Sequence, residues 1–246
     1  MKVIVTAHPF CEKNNIPIKL MEENNIDFNL SPLLVKPDED ELLKIVHDAD
    51  IIIAGTEVIS KKILKNSKKL KLISRTGIGY DNINIQEASS RGIAISITPN
   101  TLSDSVAEYN VGLMILLLRQ AQVFNSQIRN NIWERKIGKT LSDSTIGIIG
   151  VGRIGAKIID FLSQFGCKKI LLNDQDRKVI DSNFIKLKWC NKKTIYEESD
   201  IISINLPLNK KTKGMIGFKQ LQLMKKDAVL INTARGGIIN ENDLYK

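Results

Sequence analysis

The feature that most restricts the fold is a series of short β-branched runs, each followed by a stretch of helical composition. Lys2–Val5, Ile51–Ile53, Leu70–Ser74 and Ile93–Ile97 form one set; Ile146–Ile149, Ile170–Leu172, Ile201–Ile204 and Val229–Ile231 form a second. Strands this short and this apolar suit parallel sheets covered on both faces, and their alternation with helices implies βαβ units. Two sets therefore predict an α/β chain of two doubly wound parallel-sheet domains, residues 1–98 and 99–246. The seam falls near residues 98–106, where Pro99 in Thr98-Pro99-Asn100-Thr101 blocks extension of the preceding strand. Ser105-Val106-Ala107-Glu108 has capping-box spacing, so a helix is expected from Ser105. It is apolar nearly all round from Val111 to Leu118, which predicts burial between layers.

Composition narrows the function classes. The longest apolar run, Val111–Leu118 counting Gly112, is far short of the roughly 20 residues that span a bilayer, so no membrane partner is expected. The opening MKVIVTAHPF turns polar too soon for a secretory segment. Cys11, Cys167 and Cys190 are widely spaced with no CxxC, and read as reduced thiols of a cytoplasmic protein. The net charge of +9 is spread over short clusters such as Lys61-Lys62 and Lys192-Lys193, with few aromatics between them. That pattern reads as a solvated basic surface, not a nucleic-acid interface.

The strongest motif is Gly150-Val151-Gly152-Arg153-Ile154-Gly155. A strand leads into it, and a helix follows with Ile158, Phe161, Leu162 and Phe165 assigned to one face. Asp174 ends the next strand at the spacing, about 20 residues on, that a dinucleotide fingerprint requires. Gly150 permits the tight turn, Gly152 lets backbone approach a pyrophosphate, and Gly155 lets helix and strand pack closely. The free amides of the helix N-terminus favour phosphate. Asp174 can accept both hydroxyls of an adenosine ribose and would repel a 2′-phosphate, which selects NAD. Asn173 could take that place if the strand is shifted, and Arg177 with Lys178 could instead hold a phosphate.

With these residues in hand, the chain resembles the D-2-hydroxyacid dehydrogenases, in their D-3-phosphoglycerate dehydrogenase-like branch. The likeness is carried by Ser74–Ile83, by Thr98-Pro99-Asn100 leading to Ser105–Glu108, by the glycine fingerprint, by Asn205-Leu206-Pro207-Leu208 and by Ile231–Ile239. It implies a flavodoxin-like substrate domain and a Rossmann NAD domain, with the active site in the cleft. It also implies that amides of Gly77 and Ile78 hold a substrate carboxylate, assisted by Arg75. Thr98, Arg153, Ile154, Leu206, Thr233 and Ala234 match cofactor contacts. Arg235 matches the arginine that grips the carboxylate and polarises the keto oxygen, a task its planar guanidinium suits. It is also assigned a cofactor contact. Asn205 stands where the family commonly has His.

The reaction implied is hydride transfer between NAD and C2 of a D-2-hydroxy acid, in a homodimer. Trp133-Glu134-Arg135 matches a segment near the substrate entrance, and Arg135 or Lys136 could meet a phosphate, as in 3-phosphoglycerate. The His base of the family and its Glu partner belong to segments after Leu244. The two histidines present, His8 and His47, do not match them, and neither does Glu241. On that resemblance the chain reads as C-terminally shortened, its last strand an uncovered edge, and is expected to turn over poorly alone. A non-catalytic NAD-binding regulator of the corepressor type is the alternative, and a pure dimerisation fragment a third reading.

Overall fold

The computed structural model describes residues 1–31, 37–99, 101–167, 169–177 and 186–246. Asn100 and Lys178 therefore lie outside the described residues. The chain divides into two units, Met1–Leu102 and Ser103–Lys246. No helix among the described residues is long and apolar enough to cross a membrane.

The first unit holds five parallel strands, β1 (Lys2–Val5), β2 (Asp27–Leu30), β3 (Ile51–Ala54), β4 (Leu72–Arg75) and β5 (Ala94–Ile97). They lie in the order β2-β1-β3-β4-β5. Alternate residues feed opposite faces. Ile4, Ile52 and Ile73 pack against α2 (Glu39–Val46), α3 (Lys61–Asn66) and α4 (Ile85–Ser90). Val5 and Ile53 point the other way, to Met21 and Ile18 of α1 (Ile16–Glu23). Between the carboxyl ends of β1 and β3, the buried Glu57 accepts the Gly55 amide on both oxygens at 3.0 Å and the Thr6 hydroxyl.

The second unit repeats this design with β6 (Thr145–Ile149), β7 (Lys169–Asn173), β8 (Leu187–Trp189), β9 (Ile201–Ile204) and β10 (Val229–Asn232). The order is β10-β9-β6-β7-β8, all parallel, so β10 is an edge strand. Ile146, Ile148, Ile170, Leu172, Ile201 and Ile231 face α5 (Ser103–Leu118) and α7 (Arg153–Ser163). Ile149, Leu171, Ile202 and Ile204 face α8 (Lys192–Glu198). The remaining helices are α6 (Ala121–Arg129), α9 (Phe218–Leu221) and α10 (Glu241–Tyr245).

One device appears in both sheets. Asp50, just before β3, accepts the amide of Lys2 at the start of β1 at 2.8 Å. Asp200, just before β9, accepts the amide of Thr145 at the start of β6 at the same distance. Each carboxylate closes the polar end of two neighbouring strands, and Lys225 reinforces Asp200 at 3.0 Å.

Four local expectations are corrected. Two strands, β2 and β8, escape the apolar-run criterion, because each is an edge strand with no fully buried residue whose sequence, Asp27-Phe28-Asn29-Leu30 or Leu187-Lys188-Trp189, mixes polar with apolar side chains. Helix α5 begins at Ser103, not at a capping box on Ser105. Its buried stripe of Ser103, Ala107, Asn110, Val111, Met114 and Leu118 starts a half-turn earlier, and burial sets the boundary. The same helix is not covered all round, since Tyr109, Ile115 and Leu116 are exposed. Phe165 lies past the end of α7 and is exposed; Ile159 takes the core position.

Candidate functional site

At the carboxyl end of β6 the three glycines meet three different demands. Gly150 turns with φ +95°, and its amide donates to the Asn173 carbonyl at 2.8 Å. A Cβ there would lie 2.6 Å from the Asn205 carbonyl oxygen and 3.0 Å from Leu206 Cδ2, so the loop after β9 closes over it. A Cβ on Gly155 would lie 2.1 Å from the Gly150 carbonyl oxygen, so α7 rests directly on the turn. A Cβ on Gly152 would meet nothing within 4 Å. Two of the glycines serve the protein's own packing; the third faces open space.

Gly152 is the N-cap of α7 and supplies no side-chain cap. Asp38, Ser60, Asn84, Asn191 and Asn240, by contrast, each cap their own helix. First-turn amides at Arg153 and Ile154 are thereby left to face an anion, with the positive end of the helix behind them. Asp174 follows β7 directly, and its carboxylate accepts the Val151 amide at 2.6 Å. Asn173 turns away, donating to the Cys190 carbonyl at 2.8 Å. The carboxylate beside the glycine turn is thus Asp174. A dinucleotide fits this donor set: uncapped amides for the pyrophosphate and an acceptor pair for ribose hydroxyls.

The turn after β10 is organised by a residue that sequence reasoning passed over. Asn232 Oδ1 accepts the amides of Ala234 and Arg235 at 3.1 and 3.4 Å, and its Nδ2 donates to the Arg235 carbonyl at 2.8 Å. Such an Asx turn is legible as Asn before a Gly-Gly pair, once the strand end is known. Arg235 is half-buried, with Nη1 donating to the Ala234 carbonyl at 2.8 Å. Thr233 accepts from Asn110 Nδ2 at 2.9 Å. Asn110 was also missed. Its signal is an amide inside an otherwise apolar helix, where burial without partners is costly.

In the first unit the loop after β4 carries Gly77 with φ +143°. The Arg75 guanidinium folds over it, with Nη1 1.7 Å from where a Cβ would stand, and donates to the Thr76 carbonyl. The Gly77 amide is already spent on the Arg75 carbonyl at 3.0 Å. The Ile78 amide has no backbone acceptor among the described residues. Thr98, just beyond β5, donates its amide to the Gly77 carbonyl at 3.0 Å.

Burial pushes the Cys167 thiol up to about 11 and the Tyr196 hydroxyl to about 12. His8 is exposed after β1, and His47 Nδ1 lies 2.9 Å from the Lys44 carbonyl. Among the described residues no His, Cys, Asp or Glu cluster could hold a metal ion.

Two parallel α/β sheets, one with an uncapped glycine turn and a carboxylate bonded to it at the next strand end, define the class of dinucleotide-binding α/β folds. Residues 111–246 match the model of the D-isomer specific 2-hydroxyacid dehydrogenase NAD binding domain. The chain is 36% identical over 220 residues to a glyoxylate reductase of Thermococcus litoralis, covering 85% of this chain and 66% of the relative. It is 34% identical to a D-3-phosphoglycerate dehydrogenase of Methanocaldococcus jannaschii, covering 93% of this chain and 44% of the relative. A crystal structure of NAD⁺-bound 3-phosphoglycerate dehydrogenase from Entamoeba histolytica superposes with a TM-score of 0.82 at 27% identity, over 99% of this chain and 75% of that one. The protein belongs to the D-isomer specific 2-hydroxyacid dehydrogenase family. It spans no more than about two thirds of the length of these two curated relatives.

Proposed function

We propose that this protein transfers a hydride reversibly between NAD and C2 of a D-2-hydroxy acid, with residues 1–98 serving the substrate and residues 99–246 the cofactor. The observation that carries the reading is the Gly150–Gly155 turn with Asp174 bonded to it. Amides at Gly152, Arg153 and Ile154 take the pyrophosphate, Asp174 takes the ribose, and Leu206, Thr98, Thr233 and Ala234 line the remainder. Nicotinamide, when bound, supplies or accepts the hydride. Arg235 holds the carboxylate and carbonyl oxygens in one plane and stabilises the charge that develops on the oxygen. Ile78, with Arg75 and Gly77 shaping its loop, is assigned the substrate carboxylate. Arg235 is the residue of this chain given a part in catalysis.

Two relatives and one basic segment bear on substrate choice within the class. The glyoxylate reductase relative supports a small keto acid, and the phosphoglycerate dehydrogenase relative a phosphorylated one. Arg135 is exposed, and Lys136 lies 3.7 Å from Glu134, which partly neutralises it as a phosphate ligand. The homodimer reading is supported by exposed apolar side chains of the second unit, Tyr109, Ile132, Trp133 and Ile137, the last 99% exposed. Sedimentation of the Trp133→Arg/Ile137→Lys variant tests it; an unchanged mass would sink it.

The direct test titrates NADH, then assays glyoxylate, hydroxypyruvate and the phosphorylated analogue of the latter. Micromolar NADH binding is expected, with turnover of one acid weak. Absence of NADH binding by folded protein overturns the reading, and binding without turnover points to a cofactor-sensing role.

A further inference from the structure

The strand period places Ile201, Ser203 and Asn205 on the same side of the second sheet as Val229, Ile231 and Thr233, the side that α5 covers. Four polar side chains meet there in an apolar layer. Asn205 Nδ2 donates to Ser203 Oγ at 3.0 Å, and Ser203 Oγ donates to Asn110 Oδ1 at 3.0 Å. Asn110 Nδ2 then donates to Thr233 Oγ1 at 2.9 Å. Asn110 and Ser203 are fully buried.

The chain has a direction. Ser203 Oγ accepts a hydrogen bond from Asn205, so its own hydroxyl hydrogen is free to donate to Asn110. With its oxygen engaged, Asn110 presents its NH₂ to Thr233. Thr233 is therefore an acceptor inward, and its hydroxyl hydrogen is left to donate outward. At the far end, Asn205 Oδ1 is a buried acceptor with no partner among the described residues. A primary carboxamide, which has one acceptor and one NH₂ donor, matches a site offering a hydroxyl donor.

We propose that Asn110 is a positioning residue for the cofactor: it orients the Thr233 hydroxyl as a donor toward the nicotinamide carboxamide. This rests on the NAD reading above. Asn110 itself touches no ligand. It acts through Thr233, and through Thr233 it pins the strand end from which Arg235 follows. An apolar residue of the same size at position 110 would leave Thr233 free to turn its hydrogen inward, toward the Ser203 oxygen or a backbone carbonyl, and would leave the buried Ser203 hydroxyl without its acceptor.

The test compares NADH affinity, by fluorescence titration, with thermal midpoint in the 246-residue protein and in Asn110→Leu, Thr233→Val, Thr233→Ser and the Asn110→Leu/Thr233→Val double variant. Each of Asn110→Leu and Thr233→Val is expected to weaken NADH about five- to tenfold, the worth of one net hydrogen bond. The double variant should lose little more than either alone, because both remove the same donor. Thr233→Ser keeps the hydroxyl and should recover most of what Thr233→Val loses. A lowered midpoint in Asn110→Leu with unchanged NADH affinity overturns the proposal, as do additive losses in the double variant. Thr233→Val sits in a half-buried turn and decides the matter even if Asn110→Leu folds poorly: unaltered affinity there also overturns it. Failure of the parent protein to bind NADH would instead remove the functional reading, and this inference with it.

Discussion

Substituting two glycines of one turn separates packing from binding. Gly152→Ala places a methyl group where nothing lies within 4 Å, at φ −77°, a conformation alanine accepts. Reduced freedom in the unfolded chain contributes about 0.4–1 kcal/mol, and alanine's poor fit as an N-cap costs about as much. The thermal midpoint should therefore move by about 2 °C or less. The same methyl would stand between the α7 amides and the pyrophosphate. Losing one hydrogen bond to a charged group costs about 1.5–3 kcal/mol, so NADH affinity should fall about 10- to 150-fold. Gly155→Ala does the reverse first. Its Cβ would lie 2.1 Å from the Gly150 carbonyl oxygen, which is backbone and cannot rotate away, so α7 must retreat. Overpacking of this kind costs about 1–3 kcal/mol, or about 2–10 °C, before any ligand is added. Calorimetry for the midpoint and fluorescence titration for NADH measure both quantities. Gly152→Ala protein that binds NADH within twofold of the parent would refute the assignment of the pyrophosphate to this turn.

Three further outcomes follow from particular contacts. Gly77→Ala must hold φ near +143° against the Arg75 guanidinium, so urea denaturation should show a loss of about 1–3 kcal/mol. The Asp174→Arg variant removes the Val151 amide acceptor and its repulsion of a 2′-phosphate; paired titrations should show NADH weakened and NADPH gaining relative to it. Asp200 titrates below its ordinary 3.8: burial raises it, but the Thr145 amide, Lys225 and Lys139 outweigh that. A lowered folded value means the stabilisation is complete above about pH 4 and fades as pH falls through the folded pKa. The urea midpoint should therefore drop in acid, and drop less steeply in Asp200→Asn, where that proton uptake is gone.

Sequence alone determined the two sets of parallel strands, because a strand buried on both faces must be apolar throughout and cannot hide. It also determined the dinucleotide turn. Gly150, Gly155 and Asp174 are there for backbone reasons, a positive φ, a helix resting on a carbonyl and a carboxylate at a strand end, and such needs leave fixed spacings. What escaped it were elements stabilised from elsewhere. β2 and β8 bury too little to show an apolar run, and the start of α5 is set by the stripe it buries rather than by the Ser105 cap spacing. The Asn110–Ser203–Thr233 chain joins residues up to 123 apart in sequence, and only strand order and the packing of α5 on the sheet bring them together. Likewise, that the Arg75 guanidinium folds over Gly77 shows only in three dimensions. Local spacing records what one stretch of backbone needs. Which polar groups satisfy one another across a sheet is decided by packing, since a buried donor takes whichever acceptor the fold delivers.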